Sequence, residues 1–189
     1  MDWNLILINK THPLKKDYSF NIKKLPCGIP VDERIYDDLT RMFLDGEANG
    51  LNFRIRTAYR TYEEQAALLE KVMRVYMEKD NLTREDAFEV VKMIIAIPGQ
   101  SEHNAGLAAD IVTEGHPDLL DNIFADTPES KWLNANCQNY GFILRYPEAK
   151  IHITKTIYES WHFRYVGKEA AKEIMIREIC LEEYLDILD

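Results

Sequence analysis

Apolar and polar positions along the chain follow two periods, and the places where one gives way to the other outline the elements. Leu51, Phe53 and Ile55 alternate with Asn52, Arg54 and Arg56, which predicts a strand with one buried face. Ile35, Leu39, Met42 and Phe43 recur at helical spacing across roughly 33–48, with Asp32 placed to cap that helix and Asn49-Gly50 to stop it. Thr61 followed by Glu64 is a capping box, opening a helix to about Lys79 with Ala66, Leu69, Met73 and Tyr76 inward. Asp80-Asn81 breaks it, Thr83 with Asp86 begins a further helix to about Ile97, and Pro98-Gly99 ends the helical part. Thr127-Pro128 supplies a cap and a first-turn proline for a helix to about Tyr140, closed by Gly141. Strands are expected at Trp3 to Ile8, Phe142 to Tyr146 and His162 to Val166, with an irregular stretch punctuated by Pro13, Pro26, Gly28 and Pro30. Weakly patterned sequence follows Gly115-His116-Pro117, residues 149–158 read as a variable connection or hairpin arm, and residues 168–179 and 181–188 as peripheral helices. The pattern predicts an α+β fold over residues 1–189: one domain with a mixed or antiparallel sheet, helices packed on it, and a cleft.

Composition narrows the function classes. With 189 residues, 46% hydrophobic and 29% charged, the chain can bury a proper core. A net charge of -9 and a pI near 5.1 argue against a nucleic-acid partner, which calls for a basic face. The apolar run at Trp3 to Ile8 is shorter than a signal-peptide core and lacks a basic region before it, and no run approaches the ~18 residues of a membrane span. The expectation is a cytoplasmic protein without a membrane anchor. Cys27, Cys137 and Cys180, scattered and odd in number, fit reduced thiols.

Two short stretches carry the candidate chemistry: Ser101-Glu102-His103-Asn104-Ala105-Gly106-Leu107-Ala108-Ala109-Asp110 and Glu159-Ser160-Trp161-His162-Phe163-Arg164. Together they hold two histidines, an aspartate and a glutamate, the inventory of a catalytic zinc site. A straight strand would separate His103 from Asp110 by roughly 23 Å at about 3.3 Å per residue, so the chain must turn between them. Gly106 is the residue able to turn it. A helix would also put positions seven apart on one face; the β-branched exit Ile111-Val112-Thr113 favours a strand that carries Asp110. In the second stretch His162, Arg164 and Val166 would share one strand face. Glu159 would point away from His162 unless the chain bends near Ser160.

The first stretch matches in full the Ser-x-His-x-x-Gly-x-Ala-x-Asp signature of the zinc D,D-peptidases of the VanX, VanY and VanXY type, and the second resembles their Glu-x-Trp-His signature. The resemblance extends to Asn9-Lys10-Thr11-His12-Pro13-Leu14, Tyr59-Arg60 and Asn139 to Glu148, and so covers most of the chain. It implies one Zn2+ held by His103, Asp110 and His162, with Glu159 as the base that handles the protons of the attacking water. It implies Arg60 at the scissile carbonyl, Ser101 contacting substrate beside the metal, and Gln65 near substrate. His12, His116 and His152 lie outside these signatures and are read as structural or solvent-exposed.

The implied function is hydrolysis of the D-Ala-D-Ala bond in cell-wall precursors, as free dipeptide or at the end of the muramyl pentapeptide, which removes the ending that vancomycin binds. The partners would be small peptides. One departure bears on the balance of the two activities: the family aspartate that helps hold the dipeptide ammonium, three residues before the arginine, is Thr57 here. Ser160, where the family has proline, is a smaller departure. An L-alanyl-D-glutamate-type peptidase and a non-catalytic zinc-binding interaction module, as in hedgehog signalling domains, are the alternatives. Glu159 and Arg60 speak against the second, since neither is needed merely to hold zinc.

Overall fold

The computed structural model describes residues 2–115 and 122–188. His116 therefore lies outside the described residues. The order of elements is β1 (Ile22–Lys24), β2 (Pro30–Asp32), α1 (Tyr36–Ala48), β3 (Phe53–Thr57), α2 (Tyr62–Asp80), α3 (Arg84–Val91), β4 (Ala108–Thr113), α4 (Pro128–Asn136), β5 (Phe142–Leu144), α5 (Ile151–Thr154), β6 (His162–Tyr165), α6 (Lys168–Ile176) and α7 (Leu181–Leu188). The expected α+β fold is borne out. The main sheet has the order β3-β4-β6-β5, antiparallel throughout, and β1 and β2 form a separate antiparallel pair.

Most elements begin and end where their capping residues place them. Asp32 accepts from the Arg34 amide and opens a short 3-10 turn that runs into α1. Thr61 and Glu64 form both halves of the capping box of α2. Thr83 and Thr127 accept from the amides three residues on, at α3 and α4. Asn81 takes the left-handed conformation that ends α2, and Gly141 does the same after the 3-10 turn that follows α4.

The structure departs from the sequence pattern in five places. Residues 3–8 form no strand: Leu5 and Ile8 are buried, but the carbonyls of Asn4 and Ile6 accept from the Arg164 guanidinium at 3.1 and 2.9 Å rather than from a neighbouring strand. The stretch expected to be irregular contains the β1–β2 hairpin, which turns at Cys27-Gly28. Ala66 faces solvent and Gln65 is the buried residue on that turn of α2. The helix expected to reach Ile97 ends at Val91, with turns beyond it, and residues 149–158 form no hairpin arm but hold the single-turn helix α5.

The core lies between the main sheet and α1 and α4, where Ile35, Leu39, Met42, Ile111, Leu133 and Phe163 are fully buried. A second cluster joins α6 and α7 to the far side of β5 and β6 through Ile143, Val166, Ile174 and Leu181, and a third packs α2 on α3 through Leu69, Met73, Ala87 and Val91.

Gly106 makes the turn that the spacing of His103 and Asp110 requires. Its φ is +69°, and a Cβ there would meet the Phe20 ring at 2.7 Å and the Asp32 amide nitrogen at 3.0 Å. Gly106→Ala is expected to cost roughly 1–3 kcal/mol, measured by denaturant unfolding. Gly28, at φ +87° with nothing within 4 Å of its Cβ position, gives the strain of the backbone alone and a smaller loss.

Candidate metal centre

Sheet register brings the chemistry together. Asp110 on β4 is the direct cross-strand partner of His162 on β6, so the pairing of the two strands places both side chains on one face. His103 arrives from the 3-10 turn Glu102–Ala105, and the left-handed turn at Gly106 carries the chain from it into β4. A bulge between Ile55 and Thr57 ends the regular pairing of β3 with β4 and redirects the chain towards Tyr59-Arg60. The Arg60 amide then bonds to the His103 carbonyl at 3.1 Å. Asn104 clamps this junction, its amide nitrogen donating to the carbonyls of Arg60 at 2.7 Å and Thr61 at 3.2 Å while its oxygen accepts from the Gly99 amide at 2.9 Å.

His103, Asp110 and His162 are all buried and offer ligand atoms within 4.8 Å of one another, the one such trio among the described residues. Asp110 Oδ1 lies 3.3 Å from His103 Nε2 and 3.1 Å from His162 Nδ1. The other nitrogen of each ring is held from behind: His103 Nδ1 by the Ala58 carbonyl at 2.7 Å, and His162 Nε2 by the Glu102 carboxylate at 3.2 Å. Two imidazoles and one carboxylate, each imidazole anchored through its far nitrogen, make a donor set that fits a divalent ion of the zinc type.

The trio forms part of the wall of a cleft of about 260 Å³, with Arg60, Ser101, Tyr146, Glu159 and Trp161 around it. Glu159 reaches the trio as the bend requires: residues 160–161 form a turn, the His162 amide bonds back to the Glu159 carbonyl at 3.3 Å, and Glu159 Oε2 lies 3.6 Å from His162 Nδ1. Arg60 donates to Gln65 Oε1 at 2.7 Å, and Gln65 donates in turn to the Ala96 carbonyl at 2.6 Å, so the buried amide braces the guanidinium against the cleft wall. Ser101 lines the cleft and also accepts from the His103 amide at 3.3 Å. Each residue expected at the site lines this one cleft. Thr57, which pairs with Asp110 in the sheet, does not; the carboxylates among the described lining residues are Glu102, Asp110 and Glu159.

Burial and close charges set the protonation states. Burial pushes Asp110 upward, but His103 and His162 outweigh it and hold the carboxyl well below its usual range. Burial pulls His103 down. Burial also pulls on His162, yet hydrogen bonds to Asp110 and Glu102 raise it to about 10, so the ring bridges two carboxylates as an imidazolium. Burial raises Glu159 to about 7; a cation in the trio would draw it back towards the ionised form.

Sequence reasoning missed the layer behind the trio. Glu102 is fully buried and takes Arg145 Nε at 2.7 Å and Arg164 Nη1 at 2.8 Å on its Oε1, while its Oε2 faces His162. The available signal was the placement of Arg164 two residues after His162 on the same strand face, where a buried cation calls for a buried anion.

A metal ion bound through His162 Nδ1 must displace a proton. At pH 8 Glu159 is already largely ionised while His162 is still protonated. Calorimetry in buffers of different ionisation enthalpy should therefore find about one proton released per ion, with affinity rising as pH rises towards 10. Binding with no proton release would contradict this protonation pattern.

Comparison with known proteins agrees with the geometry. The VanY family, described as D-alanyl-D-alanine carboxypeptidase, matches residues 28–168. A D-alanyl-D-alanine carboxypeptidase of Enterococcus faecalis is 36% identical over 98% of the chain, which spans 66% of that relative's length. A bifunctional D-Ala-D-Ala dipeptidase and carboxypeptidase of Enterococcus gallinarum, VanXYC, is 36% identical over 97% of this chain and 94% of its own. The crystal structure of a mutant of the vancomycin-resistance D,D-pentapeptidase VanY with Zn(II) superposes with a TM-score of 0.85 at 36% identity, covering 97% of this chain and 99% of that one. The chain belongs to the VanY family of D-alanyl-D-alanine carboxypeptidases.

Proposed function

We propose that the chain is a zinc-dependent D,D-carboxypeptidase that removes the terminal D-alanine from cell-wall precursors ending in D-Ala-D-Ala, and so contributes to vancomycin resistance. The observation that carries this reading is the convergence of the His103–Asp110–His162 trio, Glu159 and Arg60 on one cleft. A single zinc ion held by the trio supplies Lewis acidity and makes a nucleophilic water available at neutral pH. Glu159, with a pKa raised by burial and a carboxylate 3.6 Å from His162 Nδ1, takes the proton of the attacking water and returns it to the leaving D-alanine amine. Arg60, braced by Gln65, holds the carbonyl oxygen as it gains negative charge. Ser101 lines the cleft beside His103, and we assign its hydroxyl to the substrate's terminal carboxylate.

Thr57 supports carboxypeptidase over dipeptidase activity. A free dipeptide brings an ammonium group next to the scissile bond, and no described carboxylate lines the cleft besides Glu102, Asp110 and Glu159. Glu102 is engaged by two arginines, and we assign the other two to the metal and to proton transfer. A longer precursor has an acyl chain in place of that ammonium. We place the enzyme in the cytoplasm, a compartment that suits three unpaired cysteines. No helix among the described residues is long and apolar enough to cross a membrane.

The test is D-alanine release by zinc-loaded protein from the muramyl pentapeptide, from D-Ala-D-Ala, and from a tetrapeptide stem whose last bond joins an L-centre to D-alanine. The expected order has the pentapeptide first and the dipeptide well behind. No release from the pentapeptide by folded, zinc-replete protein overturns the assignment, and release from the tetrapeptide alone makes the enzyme an L,D-carboxypeptidase. Glu159→Gln should retain zinc and lose about 10²–10⁴ in kcat. Arg60→Lys should lose about 10²–10³, because a point charge does not reproduce the guanidinium fork.

A further inference from the structure

The charged groups behind the metal centre continue past the residues the reaction uses. Arg145 and Arg164 are both fully buried, and both point at Glu102 Oε1. Glu182, on the first turn of α7, closes the set by accepting from Arg145 Nη1 at 2.8 Å and Nη2 at 2.7 Å, a two-pronged pairing. Two arginines and two glutamates form a quartet without net charge, the condition under which such groups are tolerated away from water. Glu182 lies beyond the family match at residues 28–168 and far in sequence from either signature stretch.

Resting on the reading of His103, Asp110 and His162 as zinc ligands, we infer that Glu182 is a positioning residue for the metal centre: by occupying Arg145 it leaves one oxygen of Glu102 free to hold His162 Nε2. Arg145 presents three nitrogens, of which Nε bonds to Glu102 Oε1 and the other two to Glu182. Without Glu182 those two donors are buried and unpaired, and Glu102 is the anion that Arg145 already contacts. Its second oxygen, which bonds to His162 Nε2 at 3.2 Å, is then contested. His162 loses the bond that fixes its ring and directs Nδ1 at Asp110. The last helix, expected from its sequence to be peripheral, is thus wired to a metal ligand through Glu182, Arg145 and Glu102. Asn9 extends the same wiring to the N-terminal segment, donating to Glu182 Oε1 at 3.4 Å.

The test compares Glu182→Gln with Glu183→Gln on the full chain. Glu183, next on the same helix, pairs with Lys150 at 3.0 Å and with the Cys180 amide but touches nothing in the quartet. Zinc affinity is read by competition with a chelator, beside kcat and KM on the pentapeptide. Glu182→Gln should weaken zinc by about 10–100-fold and lower kcat with KM unchanged, while Glu183→Gln leaves zinc affinity as in the wild type. The visible bands of the cobalt(II)-substituted protein should shift in the first variant alone. Glu182→Asp, which keeps the charge but shortens the reach to Arg145, should show the same losses in smaller measure and serves where Glu182→Gln does not fold. Equal losses in the two glutamate variants would reduce the effect to helix stability and overturn the inference. Wild-type zinc affinity in a folded Glu182→Gln would overturn it while leaving the zinc centre standing. A wild-type protein that binds no zinc would remove the centre itself.

Discussion

A single carboxylate, Glu102, holds the site in register. It is fully buried, and burial alone would push its proton affinity up; Arg145 and Arg164 outweigh burial and keep it ionised. Both arginines converge on one of its oxygens, and the other is left to face His162 Nε2. With Nε2 held there, the His162 ring turns its Nδ1 towards Asp110 Oδ1, 3.1 Å away. The same two arginines bind the fold around the centre. Arg164 takes two carbonyls of the N-terminal segment, and Arg145 takes the last helix through Glu182.

The antiparallel sheet supplies the other half of the geometry. Strand register sets Asp110 beside His162 across β4 and β6, and so fixes two members of the His103–Asp110–His162 trio before any side-chain interaction is counted. His103, the third member, and Arg60 come from loops tied together by the Arg60–His103 backbone bond and the Asn104 clamp. These segments meet at one cleft. Asp110 and the buried Glu159 line it together with the Arg60 guanidinium, which Gln65 braces.

The sequence made the site legible because its residues obey local rules. The turn at Gly106 follows from the distance between His103 and Asp110, the strand of His162 from its alternation, and the bend before it from the three-residue offset of Glu159. Capping pairs located the starts of α2, α3 and α4 for the same reason. Long-range side-chain bonding was not legible. Residues 3–8 have the pattern of a strand, yet their carbonyls are taken by Arg164, a partner some 160 positions away by number. Residues 181–188 have the pattern of a peripheral amphipathic helix, and nothing local distinguishes Glu182, which is wired inward, from Glu183, which pairs at the surface with Lys150. Gln65 on α2 shows the same limit: period alone favoured Ala66 for the buried position, whereas the need to brace Arg60 put the amide inside.

The most direct test of this account is a crystal structure of the zinc-loaded chain with anomalous data collected at the zinc edge. The account predicts one strong peak, bonded to His103 Nε2, Asp110 and His162 Nδ1, with Glu102 still on His162 Nε2. A peak on His162 Nε2, or one away from this trio, would contradict it.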